Sequence, residues 1–258
     1  MNERHAEVAV AEHRVFAVSA EKLRIAGITP FTTIDFPGKL SAVAFVQGCP
    51  WRCVYCQNPW MQSRQFDETL EHADWSGLEK LLSRRQGLLD GVVFSGGEPC
   101  TDPALPAAVR KVKAMGFQVG LHTGGAYPRR LSEIIDALDW VGLDVKAPPE
   151  RPDLWEKIVR VRGAERNWAE SLSILQASGV SYECRTTAHP DLLTEADLMG
   201  LADSLEDRGV DTWALQIYRR PPGLLLAALP TVGDDYPSAG LRERFRKQFK
   251  SFIFRAAQ

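Results

Sequence analysis

The sequence predicts an α/β chain folded as a partial (βα)6 barrel, on three observations. Apolar runs of strand length recur six times, each before a stretch of helical or turn character. These strands are nearly continuous in apolar residues, as expected of a parallel sheet whose outer face is covered by helices. Six units are fewer than the eight that close a barrel, so the sheet is expected to stay open. At 258 residues and 45% hydrophobic, the chain can bury one large core.

The elements follow in order. Residues 1–23, opening "MNERHAEVAVAEHR", are polar, carry no strong periodicity, and read as an extension with at most a short helix. They are too charged for the apolar core of a signal peptide. The barrel is assigned to residues 24–220. "LSAVAFVQG" is its first strand, a helix around 75–85 follows, and "GVVFSGGE" is the second strand, ending at Gly96. In "TDPALPAAVRKVKAMG", Thr101 or Asp102 is placed to cap a helix, Leu105, Ala108, Val109, Val112 and Met115 form its apolar stripe, and Gly116 stops it. "FQVGLHT" is the third strand, 131–138 a short helix, and "WVGLDVK" the fourth strand. "NWAESLSILQASG" has Asn167 and Glu170 at capping-box spacing and Gly179 as a stop. "VSYECRTTA" is the fifth strand, "TEADLMGLADSLEDRG" a helix with Leu198, Leu201 and Leu205 inward, and "TWALQIY" the sixth strand. Residues 221–258 form a Pro/Gly-rich connection and a basic helix, "LRERFRKQFKSFIF". Its Phe245, Phe249 and Phe252, at helical spacing, are expected to dock on the barrel.

With 31 basic and 33 acidic residues the net charge is -2, which offers no electrostatic case for nucleic acid or an anionic membrane. No apolar run is long enough to span a bilayer, and a cytoplasmic protein is expected. Five cysteines, three of them within "GCPWRCVYC", make a poor disulfide framework and point to metal or redox chemistry.

In parallel βα folds, ligands gather at the carboxyl ends of the strands. The chemically unusual residues fall there in succession: Cys49, Cys53 and Cys56 after strand one, Gly96, Gly97 and Glu98 after strand two. His122, Thr123 and two glycines follow strand three, Asp144 and Lys146 end strand four, Arg185 lies in strand five, and Gln216, Tyr218 and Arg219 end strand six. Three thiolates suit either a structural zinc that finds a fourth ligand among Cys100, Cys184, His72, His122 and His189, or an iron–sulfur cubane with one iron left open. Cys100 and Cys184 also read as small buried apolar residues. Asp144 and Lys146 share a strand face and can form a structural ion pair. Arg185, inside an apolar strand, must pair with something, and a carboxylate of a bound ligand or of the protein itself suits it.

The pattern Cys49-x3-Cys53-x-Tyr55-Cys56 resembles the signature of the radical S-adenosylmethionine (SAM) enzymes, and "FSGGEP" resembles their GGE motif. "TTIDFPGKLSAVAFVQGCPWRCVYCQNP" and "GLDVKAP" resemble, more narrowly, the glycyl-radical-enzyme activating proteins. Within these the chain is most similar to the longer form of the proteins that activate anaerobic ribonucleotide reductase. The resemblance spans residues 25–218 and implies a partial TIM-like barrel of the radical SAM type. It implies that Cys49, Cys53 and Cys56 ligate one [4Fe–4S] cluster whose open iron takes the amino and carboxylate groups of SAM. Tyr55 would lie against adenine, Gly96, Gly97 and Glu98 would hold the methionine moiety, and Asp144 and Lys146 would lie along the ribose and carboxylate. His122, Thr123 and Arg185 join the expected SAM contacts, with Lys146 counted among the catalytic residues beside the three cysteines. Asp35 matches a position that meets the target peptide.

The implied chemistry is reductive cleavage of SAM and transfer of a hydrogen from a glycine Cα of a partner, anaerobic ribonucleotide reductase, with a flavodoxin- or ferredoxin-type electron donor. Two departures weaken the substrate assignment. The activating proteins read "DTNG" where this chain has His122-Thr123-Gly124-Gly125, which puts a monovalent-cation site in doubt, and "QIYRR" ends strand six where some relatives have a histidine. A radical SAM enzyme acting on a small molecule, as in carboxydeazaguanine synthesis, and a zinc-stabilised binding protein are the alternatives.

Overall fold

The computed structural model describes residues 18–220 and 229–256. Within it eight strands form one sheet in chain order. The first, β1 (Ile25–Thr32), runs antiparallel to β2 (Ser41–Val46). From there β3 (Gly91–Gly96), β4 (Gln118–Thr123), β5 (Trp140–Asp144), β6 (Ser181–Ala188), β7 (Thr212–Ile217) and β8 (Ser251–Arg255) are all parallel. The helices are α1 (Trp75–Ser83), α2 (Leu105–Ala114), α3 (Pro128–Ser132), α4 (Pro152–Val159), α5 (Ala164–Ser178), α6 (Glu195–Asp207) and α7 (Ala239–Gln248). Six strand-then-helix units therefore precede a bare last strand, and the sheet remains open between β1 and β8.

The parallel strands are apolar on both faces because both faces are covered. Ala42, Ala44, Val46, Val92 and Phe94 belong to the large core shared with the helices. Their neighbours Val43 and Val93 pack on the opposite face with Phe36 and Trp140. That second cluster closes one end of the barrel interior, and Phe36 reaches it from the β1–β2 loop.

Local signals explain most helix boundaries. Asp74 caps α1 by accepting from the Gly77 amide at 2.7 Å, and Thr194 and Asp197 form a reciprocal capping box on α6. Asp102 Oδ1 accepts from the Ala104 amide ahead of α2, and Gly116 follows that helix with φ +89°.

The structure departs from the expectations at four places. The capping box at Asn167 is not formed: α5 begins a turn earlier, at Ala164, and Asn167 Nδ2 donates instead to the Ala126 carbonyl at 3.0 Å. The segment 131–138 divides into α3 and a 3-10 turn at Ile135–Ala137. The basic helix stops at Gln248, and Phe252 lies in β8, paired with Trp213 of β7. "SFIFR" is rich in residues that favour a pleated surface, and a neighbouring strand edge outweighs the continued helical spacing. Finally, β1 carries Pro30 and grows exposed along its length, so it has no apolar run to betray it; an edge strand tolerates both features.

The polar extension lies outside the described residues up to residue 17, and 18–23 hold one 3-10 turn, Ala20–Lys22. The connection at 221–228 also lies outside them. No described helix is long and apolar enough to cross a membrane.

Candidate active site

A cavity of about 160 Å3 opens where β2, β3 and β5 end. It is lined by Cys49, Cys53, Cys56, Tyr55, Gly96, Gly97, Glu98 and Lys146. Eight residues singled out from their sequence positions thus meet in one space. Trp51, Gln57, Asn58, Gln62 and Thr187 complete the lining.

The cysteine loop is shaped by what surrounds it. The Arg52 and Val54 amides donate to the carbonyls of Val159 and Ile158 at the end of α4, at 2.9 and 3.0 Å. The Trp51 ring meets Trp155 of α4 edge-on at 6.1 Å. On the other side the Gly48 and Cys49 amides donate to Met61 and Gln62. Gln47, almost fully buried, donates to the carbonyls of Trp60 and Ser63 and so gathers the segment after the cysteines. Arg64 holds the same segment to the barrel through Asp102 at 2.9 Å.

Gly96 and Gly97 are glycines because of how closely β3 passes this loop. A Cβ on Gly96, which has φ +118°, would lie 2.4 Å from the Val46 nitrogen, and one on Gly97 would lie 2.3 Å from the Gly48 carbonyl oxygen. The approach lets Glu98 fold back under the site. Its carboxylate accepts from Thr123 Oγ1 and the Gly124 amide, both at 2.8 Å, and from the Cys100 amide at 3.1 Å. Burial nevertheless keeps its affinity for protons above that of an ordinary glutamate, with these bonds opposing.

Across the cavity stands Lys146, buried, its ammonium 5.6 Å from the Tyr55 ring centre. It donates to Asp144 Oδ2 at 2.9 Å, while Arg185 donates to Asp144 Oδ1 from Nε and Nη2 at 3.0 and 2.9 Å. Burial works against ionisation of Asp144, but Lys146 and then Arg185 hold its carboxyl well below the usual range. The ion pair weighed from sequence therefore exists, and its lysine faces the cavity as well.

Four expected SAM contacts, His122, Thr123, Asp144 and Arg185, do not line this cavity; Asp144 acts through Lys146. Thr123 acts through Glu98. His122 is turned into the barrel, where Nε2 donates to the Asp35 carbonyl at 2.8 Å and the ring meets Trp140 edge-on at 5.5 Å. Burial, then the charge of Arg185, keeps His122 neutral by holding its pKa well below the usual value, which fits a ring nitrogen donating to a carbonyl. Arg185 and Asp35 line a neighbouring groove. Thr187 was missed from sequence, although it sits two residues from Arg185 on the same strand face.

The donors fit a cluster and an amino acid better than a single ion. No fourth cysteine or histidine lines the cavity, and among the described residues no three His, Cys, Asp or Glu side chains are set to share one metal ion. A multi-iron cluster instead fills the space between its thiolates. Burial and the nearby Glu98 charge push the Cys49 thiol up to about 12, and burial also raises Cys53. The protein alone therefore does not stabilise these thiolates, and bound iron would. Glu98 and Lys146 present one anion and one cation to the same space, the complement of an α-ammonium and an α-carboxylate.

The sequence profile described as the Radical SAM superfamily matches residues 43–206. A protein of Methanocaldococcus jannaschii named as a glycyl-radical enzyme activating enzyme is 32% identical over 203 residues, which cover 76% of this chain and 80% of the relative. A pyruvate formate-lyase-activating enzyme of Clostridium pasteurianum is 35% identical over 176 residues, 66% of this chain and 70% of the relative. The crystal structure of Streptococcus suis SuiB bound to S-adenosylmethionine superposes with a TM-score of 0.62 at 13% identity, over 82% of this chain and 48% of that one. The chain thus spans about half the length of SuiB, and the likeness is one of fold.

Proposed function

The chain belongs to the radical SAM superfamily, enzymes that use a [4Fe–4S] cluster and SAM, and from that premise we propose that it installs a glycyl radical on a partner enzyme. The observation that carries the reading is the joining of three thiols, Glu98 and Lys146 in one cavity. When bound, the cluster and SAM supply a 5′-deoxyadenosyl radical that takes a hydrogen from a carbon of the substrate.

The chain's own residues would do the rest. Cys49, Cys53 and Cys56 would hold the cluster. Glu98, fixed by Thr123 and Gly124, would receive the ammonium of SAM, and Gly96 and Gly97 would let the methionine moiety lie against backbone. Lys146, steered by Asp144, would meet the carboxylate end, and Tyr55 would give the adenine an apolar face. Trp51 and Trp155 would keep water from the cysteine loop. Asp35, held by Thr32 Oγ1 at 2.6 Å, would meet the target peptide.

For the partner we propose an anaerobic ribonucleotide reductase, served by a flavodoxin- or ferredoxin-type donor; the motifs "TTIDFPGK" and "GLDVKAP" support this assignment. The test is low-temperature EPR of the reconstituted, reduced protein. A [4Fe–4S]+ signal that changes shape on adding SAM is expected, as is a glycyl radical signal after incubation with the reductase. In Cys53→Ala both should vanish. Deoxyadenosine produced only with a small metabolite, with no glycyl radical on any candidate enzyme, would select the small-molecule alternative.

A further inference from the structure

A second cavity, of about 540 Å3, lies at the opposite end of the barrel from the cysteines, where β5 to β8 begin. Trp140 opens β5, Glu183 stands near the start of β6, Thr212 opens β7, and Ser251 and Ile253 belong to β8. Its size is that of a ligand pocket, and the activating function above makes no use of it. We propose that it binds a small aliphatic amine, the ammonium held by the Glu183 carboxylate and the carbon chain laid along Trp140 and Ile253.

Charge is the first argument. Glu183 is only 2% exposed. It is ion-paired with Arg255, whose Nη2 lies 3.6 Å from Oε1, and among the described residues neither carboxylate oxygen accepts a hydrogen bond of ordinary length. Burial raises its affinity for protons, with Arg185 and then Arg255 opposing. A desolvated carboxylate short of donors gains both hydrogen bonds and charge from an ammonium. Among the described residues of the wall, the other charged side chain is Asp211, again a carboxylate. Its partner Lys250, at 2.7 Å, does not line the cavity, and Arg255 lines the groove on the far side of Glu183. The cavity thus presents negative charge alone, which draws cations and repels phosphates and carboxylates.

Shape is the second argument. Gly142 is the strand partner of Glu183, and a Cβ on it would lie 2.9 Å from the Trp140 ring. Glycine there lets the ring reach the strand position opposite the carboxylate. An aromatic face beside a carboxylate suits an ammonium through both the charge and the ring quadrupole. Trp140 is also held from behind, by Phe36 stacked at 5.8 Å and by His122 edge-on at 5.5 Å. The wall is therefore preformed, and binding orders little of the protein.

The test uses the cluster-loaded protein with saturating SAM and measures binding of cadaverine, and of the uncharged diol of the same chain length, by calorimetry. Cadaverine should bind about tenfold more tightly than the diol, as expected for hydrogen bonds to a charged group. Glu183→Gln should erase that preference. Because this change also frees Arg255, a second measurement uses the wild type. Hydrogen exchange should show amides at the amino ends of β6 and β7 gaining protection with cadaverine and not with the diol. Equal binding of cadaverine and the diol, a cadaverine affinity unchanged in Glu183→Gln, or protection confined to the cysteine cavity would overturn the proposal. None of these outcomes touches SAM cleavage or the glycyl radical, so the activating function stands or falls separately.

Discussion

Asp144 concentrates much of the site's electrostatics in one side chain. It receives Lys146 on one oxygen and Arg185 on the other, so a single carboxylate orients the cation of the cavity and one cation of the groove. Removing it would leave two buried positive charges facing each other. Asp144→Asn should therefore cost about 2 kcal/mol, below the ~3–5 kcal/mol of a fully buried pair because the side chain is 30% exposed. The pH dependence has a definite sign. A carboxyl whose folded pKa lies below its unfolded value of 3.8 stabilises the fold above that pH and loses the contribution as pH falls. The stability gap between wild type and Asp144→Asn, measured by urea unfolding, should hold from neutrality to about pH 4 and narrow below it. A gap independent of pH would show that Asp144 acts by shape alone. From sequence, Asp144, Lys146 and Arg185 were visible as charges at strand ends. The sharing of one carboxylate was not, because it joins residues of adjacent strands.

At the scale of elements, α7 and β8 show how tertiary contact overrides periodicity. Phe245, Phe249 and Phe252 have helical spacing, yet only Phe245 lies in the helix. All three rings still gather on Trp213 of β7, at 4.8, 5.3 and 5.5 Å. The apolar stripe was therefore a true signal of burial, and the element that delivers it changes midway. Trp213 and Phe245 are fully buried, so Phe245→Ala should cost about 3–5 kcal/mol through the cavity it leaves. Hydrogen exchange should show the amides of β8 that face β7 losing protection in that variant. Retained protection would mean that β8 is held by its ladder with β7 rather than by the aromatic cluster.

At the scale of the molecule, an open barrel must fill its own interior, and here the β1–β2 loop does so. Phe36 enters from below and stacks on Trp140 at 5.8 Å, with Val43 and Val93 around it. The preceding residue, Asp35, is tied to His122. The histidine that stands where related activating proteins carry an acid is thus accounted for as a strut for the loop that leads to the groove. Phe36→Ala should cost about 3 kcal/mol and lower Tm by about 6–12 °C. Cluster content measured alongside should stay unchanged, since the cysteine loop is anchored to α4 and not to the floor of the barrel. Loss of the cluster together with Tm would tie the two ends of the barrel into one unit.

The sequence by itself determined the class of fold, the βα rhythm and the chemistry of the cavity. Those rest on short-range facts: apolar runs, cap and stop residues, and three cysteines held by their spacing to one loop. The tertiary structure alone decided the two edge strands, the committed role of Arg185 and the strut at His122. Each of these depends on which residues of distant strands become neighbours. Edge strands lack the continuous apolar pattern of buried ones, and a charged residue in a strand does not reveal its partner until the sheet sets the register.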